Sequence, residues 1–259
     1  MAKYGMAIDL HKCAGCGACG LACKTQNNTD DPRDGQNFNW ADYCSSVEGK
    51  FPKVSYTMRP TLCNHCSDAP CVAACPVTPK AMYKKDNGIT MHNEARCIGC
   101  GMCQNACPYS SANLDTDKAA QFSVISINRG QVQPRYNDGT EIIKGCTTSG
   151  KEIAAKAGAT PPYQTAHTHP DYNPVRGTGK AEKCIFCEHL VTKGSQPYCV
   201  QACPSSARIF GDLSDANSEI SKAVKAYETH ALADNKGKVQ KASEGTKPNV
   251  IYLRKYSAK

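Results

Sequence analysis

The chain has 259 residues, of which 40% are hydrophobic and only 7% aromatic, with a single tryptophan and a formal charge of +8. That is length enough for one large domain or two small ones, yet few large apolar side chains to fill the core unless something inorganic fills part of it. No window reaches the ~18 apolar residues of a membrane span, and the first residues show neither an apolar signal segment nor a twin-arginine pair, so the chain is expected neither to anchor itself nor to direct its own export.

In chain order, residues 4–12 read as a short strand and a turn that lead into a first cysteine block, Cys13, Cys16, Cys19 and Cys23. Phe38, Trp40 and Tyr43 follow as an aromatic group, read either as a small satellite core or as a docking patch. The second block is Cys63, Cys66, Cys71 and Cys75, closed by Pro76. Two short runs around Asn87-Gly88 predict a hairpin, and its second arm leads into the third block, Cys97, Cys100, Cys103 and Cys107, closed by Pro108. Residues 117–179 carry no cysteine block and are rich in Gly, Pro, Thr and Asn, which predicts an irregular insertion with one short helix at 151–157. The fourth block is Cys184, Cys187, Cys199 and Cys203, closed by Pro204. Beyond it, 207–212 reads as a strand. Residues 215–230 read as an amphipathic helix capped by Asp215, with Ile220, Val224 and Tyr227 on its apolar face, and 249–254 as a last strand.

The four blocks are an internal repeat and outrank any element prediction. Three cysteines at short spacing, a fourth four residues later and then proline form the run that holds [4Fe–4S] clusters, with the fourth cysteine serving the neighbouring cluster. Glycines between ligands, Gly15, Gly17, Gly99 and Gly101, let the backbone come close and take positive φ. Zinc sites stop at four ligands and have no use for so many cysteines, and a chain of this length has no need of disulfide staples. Sixteen of the eighteen cysteines fill four sites with none left over. Lys24 stands where the other blocks have proline, which leaves three clusters and one altered site as the competing count. An oxidised core of about +2 on four thiolates adds about −2 per site. Four sites bring the formal +8 near neutral, so the basic excess reads as compensation for buried anions and not as a nucleic-acid footprint.

Blocks two and three lie close together and form one module; blocks one and four then pair by elimination and enclose it. With three cysteines from one block and the last from its partner, site A takes Cys13, Cys16, Cys19 and Cys203. Site B takes Cys184, Cys187, Cys199 and Cys23. Site C takes Cys63, Cys66, Cys71 and Cys107, and site D takes Cys97, Cys100, Cys103 and Cys75. The expected fold is α+β: two pseudo-symmetric bacterial-type ferredoxin modules, 1–50 with 180–213 and 51–116, then the insertion 117–179 and a C-terminal helix and strand over 214–259.

Residues 13–28, 60–76, 97–109 and 184–204 together resemble the four-cluster iron–sulfur subunits of the molybdenum or tungsten oxidoreductases of the dimethyl sulfoxide reductase type, and the likeness spans residues 3–213. The resemblance implies an electron-transfer subunit in anaerobic respiration, working between a large subunit with a bis-pterin metal cofactor and a quinol-facing membrane subunit or a cytochrome. It also implies export by a signal-bearing partner to the periplasmic face. Residues 22–28 and 60–66 are similar to subunits serving arsenate, tetrathionate or polysulfide reduction. Ser110 stands where the family has glycine, and 130–180 match poorly. The alternatives are a free-standing cytoplasmic polyferredoxin and a binding protein whose clusters are structural or sensory. No catalytic constellation is visible.

Several other residues carry two readings. Lys24, His65, Arg96 and Lys183 lie beside ligands and either raise a cluster potential or are solvated loop residues. Tyr109 packs on a cluster or in the ordinary core. Cys44 and Cys146 are free buried thiols or a disulfide. His167 and His169 are polar loop or metal ligands.

Overall fold

The computed structural model describes residues 2–129, 148–160, 169, 171, 173–233 and 245–255. The first strand, β1 (Tyr4–Asp9), leads into block one, which ends in helix α1 (Ala18–Asn27). A long ribbon follows, β2 (Ala41–Lys50) and β3 (Lys53–Leu62). Block two holds α2 (Pro70–Ala73), then come β4 (Met82–Lys84) and β5 (Thr90–His92), and block three holds α3 (Met102–Ala106). The insertion contributes β6 (Ile125–Asn128) and α4 (Gly150–Lys156). Block four is entered by β7 (Lys180–Lys183) and contains α5 (Glu188–Val191) and α6 (Tyr198–Gln201). The chain continues with β8 (Arg208–Asp212), α7 (Glu219–Ala226), β9 (Thr229–His230) and β10 (Val250–Leu253).

The ladders follow one rule: the strand leaving each block pairs antiparallel with the strand entering the next. β2 leaves block one and pairs with β3, Ala41 opposite Leu62. β4 pairs with β5, Met82 opposite His92, and β6 with β7, Ile125 opposite Lys183. β8 leaves block four and returns to β1, Ile8 opposite Arg208, which closes the cycle. Each ladder thus clamps the end of one cysteine loop to the start of another. The short helices pack in pairs, α1 on α6 and α2 on α3, so blocks one and four lie together, as do blocks two and three.

β1 lies inside the sheet β8-β1-β10-β9, with β10 parallel to it. A strand covered on both faces reads as a continuous apolar run instead of alternating, and Met6, Ala7 and Ile8 are all fully buried. Ala7 faces Ile220 of α7 and Leu253 of β10. Met6 and Ile8 join the main core, which contains Trp40, Phe186, Phe210 and Tyr252 together with Cys23, Cys63, Cys71, Cys103, Cys184 and Cys199. Thiols therefore occupy positions where side chains would ordinarily fill the core.

Three expectations need correction. The C-terminal helix spans only Glu219–Ala226 and is capped by Ser218, whose hydroxyl accepts from the Ser221 amide; Asp215 belongs to the preceding turn and Tyr227 lies exposed in extended conformation. The insertion is not irregular throughout, since β6 pairs with the strand entering block four. Trp40 belongs to the main core and not to a satellite or an open patch; Phe38 is buried too, and Tyr43 alone of the three is exposed. The short helix in the insertion forms, with Ser149 and Glu152 making a reciprocal capping box. Pro161, Pro162, His167 and Cys146 lie outside the described residues.

Candidate metal centres

Each block curls through the same device. The second residue after its first cysteine is left-handed: Gly15 at φ 66, His65 at 44, Gly99 at 71 and Phe186 at 53. A left-handed residue turns the following amides toward the inside of the loop, where they face anionic sulfur. At Gly99 the backbone also leaves no room, because a Cβ there would stand 2.1 Å from the Gly179 carbonyl oxygen. In blocks two and four the position is held by aromatic rings, at a cost of about 1–2 kcal/mol each. Those two rings stack on each other, centroids 3.7 Å apart and 21° between planes, so the middle of block two touches the middle of block four.

The fold brings cysteines of different blocks together. Cys13, Cys16, Cys19 and Cys203 line one recess of about 440 Å³ including solvent-open space, beneath Tyr43, Met58 and Pro60. Cys97, Cys100, Cys103 and Cys75 line another of about 330 Å³. The Asn27 amide donates to Cys23 Sγ at 3.4 Å and reaches Cys187 Sγ at 3.9 Å, so the last thiol of block one meets block four. Burial pushes the Cys23 thiol well up, with Cys187 and Cys199 adding to the rise. Burial likewise raises Cys107, with Cys71 and Cys63 beside it, and takes Cys66 to about 12, again with Cys63 and Cys71 adding.

These groups suit a polynuclear cationic core. The thiols are crowded and buried, and every described cysteine is unbridged; such groups stay protonated unless metal charge compensates them. Among the described residues no three His, Cys, Asp or Glu side chains converge as they would on a single ion. Backbone amides already point at sulfur: Phe186 N to Cys184 at 3.4 Å, Ala207 N to Cys203 at 3.3 Å, Met82 N to Cys75 and Ala181 N to Cys97 at 3.5 Å. At Cys203, burial is outweighed by the Ala207 and Arg208 amides and the Ser205 hydroxyl, and the thiol lies below its ordinary value.

The four flanking residues separate into two kinds. Lys24 is half-buried and donates to the Asp30 carbonyl at 2.9 Å, and exposed Arg96 lies over the Tyr83 ring. Lys183 and His65 are not solvated loop residues: both are 1% exposed. Lys183 Nζ donates to the carbonyls of Thr90 and Cys184. His65 Nδ1 accepts from the Thr90 amide at 3.1 Å, and burial, with Lys183 and Lys84 nearby, holds the ring neutral. Tyr109 is buried in the core with its hydroxyl 3.4 Å from Thr246. Cys44 is a free thiol but half-buried. His169 pairs with Glu188 at 2.7 Å, and His169, then Lys85 against the cost of burial, hold Glu188 down at about 2.

Two residues escaped the sequence reading. Asn27, four residues after Cys23, had no visible signal. Arg208 had one: it shares the buried face of β8 with Phe210, and a charge on a buried strand face beside a ligand requires a counter-charge. Its guanidinium reaches Cys19 and Cys199. Burial opposes its charge, but those two sulfurs outweigh it and keep it ionised.

The model of the 4Fe-4S dicluster domain matches residues 54–133 and 135–213. The chain is 41% identical to the iron–sulfur subunit of an arsenate respiratory reductase from Shewanella sp. strain ANA-3, over 99% of this chain and 98% of that one. It is 33% identical to a protein of Halobacterium salinarum assigned as a dimethyl sulfoxide reductase iron–sulfur subunit, over 98% of this chain and 79% of the relative. With one polypeptide of the polysulfide reductase of Wolinella succinogenes it shares 29% identity, over 97% and 94%.

Proposed function

The protein belongs to the iron–sulfur electron-transfer subunits of dimethyl sulfoxide reductase-type oxidoreductases, built on 4Fe-4S dicluster domains, and on that premise we propose that it holds four [4Fe–4S] clusters in a row between a bis-pterin catalytic subunit and a quinol-facing membrane subunit or cytochrome. The observation that carries the reading is that two recesses are each lined by three cysteines of one block and the last cysteine of another. Site A takes Cys13, Cys16, Cys19 and Cys203; B takes Cys184, Cys187, Cys199 and Cys23; C takes Cys63, Cys66, Cys71 and Cys107; D takes Cys97, Cys100, Cys103 and Cys75. Two pseudo-symmetric ferredoxin modules follow, A with B and C with D, the first enclosing the second.

When bound, each cluster supplies a one-electron couple. The protein's part is to hold, insulate and tune. Sharing every set between two blocks, which the ladders clamp, restricts motion of the ligands and keeps reorganisation small. The order A–B–C–D is supported by three contacts: Arg208 spans Cys19 and Cys199, His65 stacks on Phe186, and α2 packs on α3. No described helix is long and apolar enough to cross a membrane, so contact with a quinone pool is assigned to a partner. The same reading places the complex on the extracytoplasmic face, carried by a signal-bearing partner, with an oxyanion or sulfur compound as the terminal acceptor.

Iron and acid-labile sulfide analysis of anaerobically purified protein tests the cluster count. About sixteen irons per chain is expected for four [4Fe–4S] sites; fewer than about twelve defeats the count. Copurification with a pterin- and molybdenum- or tungsten-containing large chain tests the partner, and its absence from a tagged native preparation would sink the complex.

A further inference from the structure

Arg208 enters the interior from β8, opposite Ile8 of β1, and is 4% exposed. One arm of the guanidinium, Nη2, donates to Cys19 Sγ at 3.3 Å. The other, Nη1, reaches Cys199 Sγ at 3.8 Å and Met6 Sδ at 3.4 Å. All three acceptors are sulfur. Among the described residues no carboxylate pairs with it, so a buried, permanent cation has only thiolates for counter-charge. Cys19 belongs to set A and Cys199 to set B.

We infer that Arg208 is a positioning and tuning residue, a fixed positive bridge between centres A and B that stabilises the reduced state of both and raises their reduction potentials together. The inference rests on the cluster reading above. Adding one electron to either centre makes it more negative by one charge without making or breaking a bond, and a nearby cation lowers the energy of that state. Hydrogen bonds to sulfur and local charge are the means by which a protein sets cluster potentials. The attraction falls with distance, so C and D, whose ligands the guanidinium does not touch, respond far less. Arginine does not lose its proton at any working pH, so the bias is constant and not a switch. A methionine of similar length lacks the charge, so Arg208→Met separates the electrostatic role from the filling of space.

The test is an EPR-monitored potentiometric titration of the intact complex, wild type against Arg208→Met and Arg208→Lys. In Arg208→Met two of the four reduction waves should move to lower potential, by about tenfold in the reduced-to-oxidised ratio at fixed potential, which is about 59 mV for a one-electron couple. The other two should stay in place. Arg208→Lys keeps the charge and should recover part of the shift. Unmoved waves in a fully iron-loaded Arg208→Met protein overturn the inference, and so does an equal displacement of all four, which signals a general disturbance. If that variant sheds its clusters, wild type grown with 15N-arginine decides: pulsed EPR should find a weakly coupled nitrogen at two reduced centres, and no coupling overturns the bridge. Iron-poor wild type would instead sink the cluster reading itself.

Discussion

Removing Arg176 should reveal how much one buried ion pair contributes to joining blocks one and four. Its Nε donates to Glu182 Oε2 at 2.8 Å, and the two side chains are 3% and 0% exposed. Nη1 donates to the Asn27 carbonyl at 2.8 Å and Nη2 to that of Asn28, which ties the end of α1 to β7. The guanidinium also lies 5.1 Å from the Trp40 ring centroid. Arg176→Met leaves Glu182 buried without its cation, and breaking one side of such a pair costs about 3–5 kcal/mol. Replacing both partners by apolar groups is often nearly neutral, so Arg176→Met with Glu182→Leu should regain most of the loss. Burial already raises the Glu182 carboxyl, with Arg176 and then Trp40 opposing the rise. Without Arg176 the folded value climbs further above the unfolded one near ~4.3. The folded state then binds a proton that the unfolded state releases, so stability falls as pH rises through that window. The single variant should lose more stability above the raised folded value than below the unfolded one. Denaturant unfolding of cluster-loaded protein under argon, followed by circular dichroism, measures both effects. A double variant as unstable as the single, with the same pH profile, would refute the unpaired-charge argument.

Asp9, joined to Arg254 and capping the turn into block one through His11 N, has its carboxyl lowered: burial opposes, but the Arg254 and His11 bonds prevail. Its contribution is therefore present above the unfolded value and is lost as pH falls through the depressed folded one; Asp9→Asn should cost about 1.5–3 kcal/mol at pH 7 and flatten the acid limb of the stability profile. Gly99→Ala should displace the block-three loop, since its Cβ meets the Gly179 oxygen at 2.1 Å, and lower iron content at site D while the other EPR signals persist. Cys44→Ser removes a free thiol outside the four sets and should leave iron content and all four signals unchanged; loss of iron would show that a ligand had been misassigned.

The amino-acid sequence determined the chemistry of the centres by itself, because cluster ligation is written in local spacing: a loop of three cysteines is a property of a short stretch of chain. Local rules also carried the Asn87-Gly88 hairpin and the short helix at 151–157. Spacing could not reveal which groups lie across a junction. The cycle of ladders, the entry of Trp40 into the main core, the His65–Phe186 stack and the placement of Arg208 against two thiols all depend on residues far apart in sequence. The same limit explains the misread helix. Asp215 and Ser218 are both competent caps, and the choice between them was made by packing, where Ile220 meets Ala7 and Leu253. Periodicity shows that a residue has an apolar neighbour; only the folded chain decides which neighbour, and therefore which charge stands beside which sulfur.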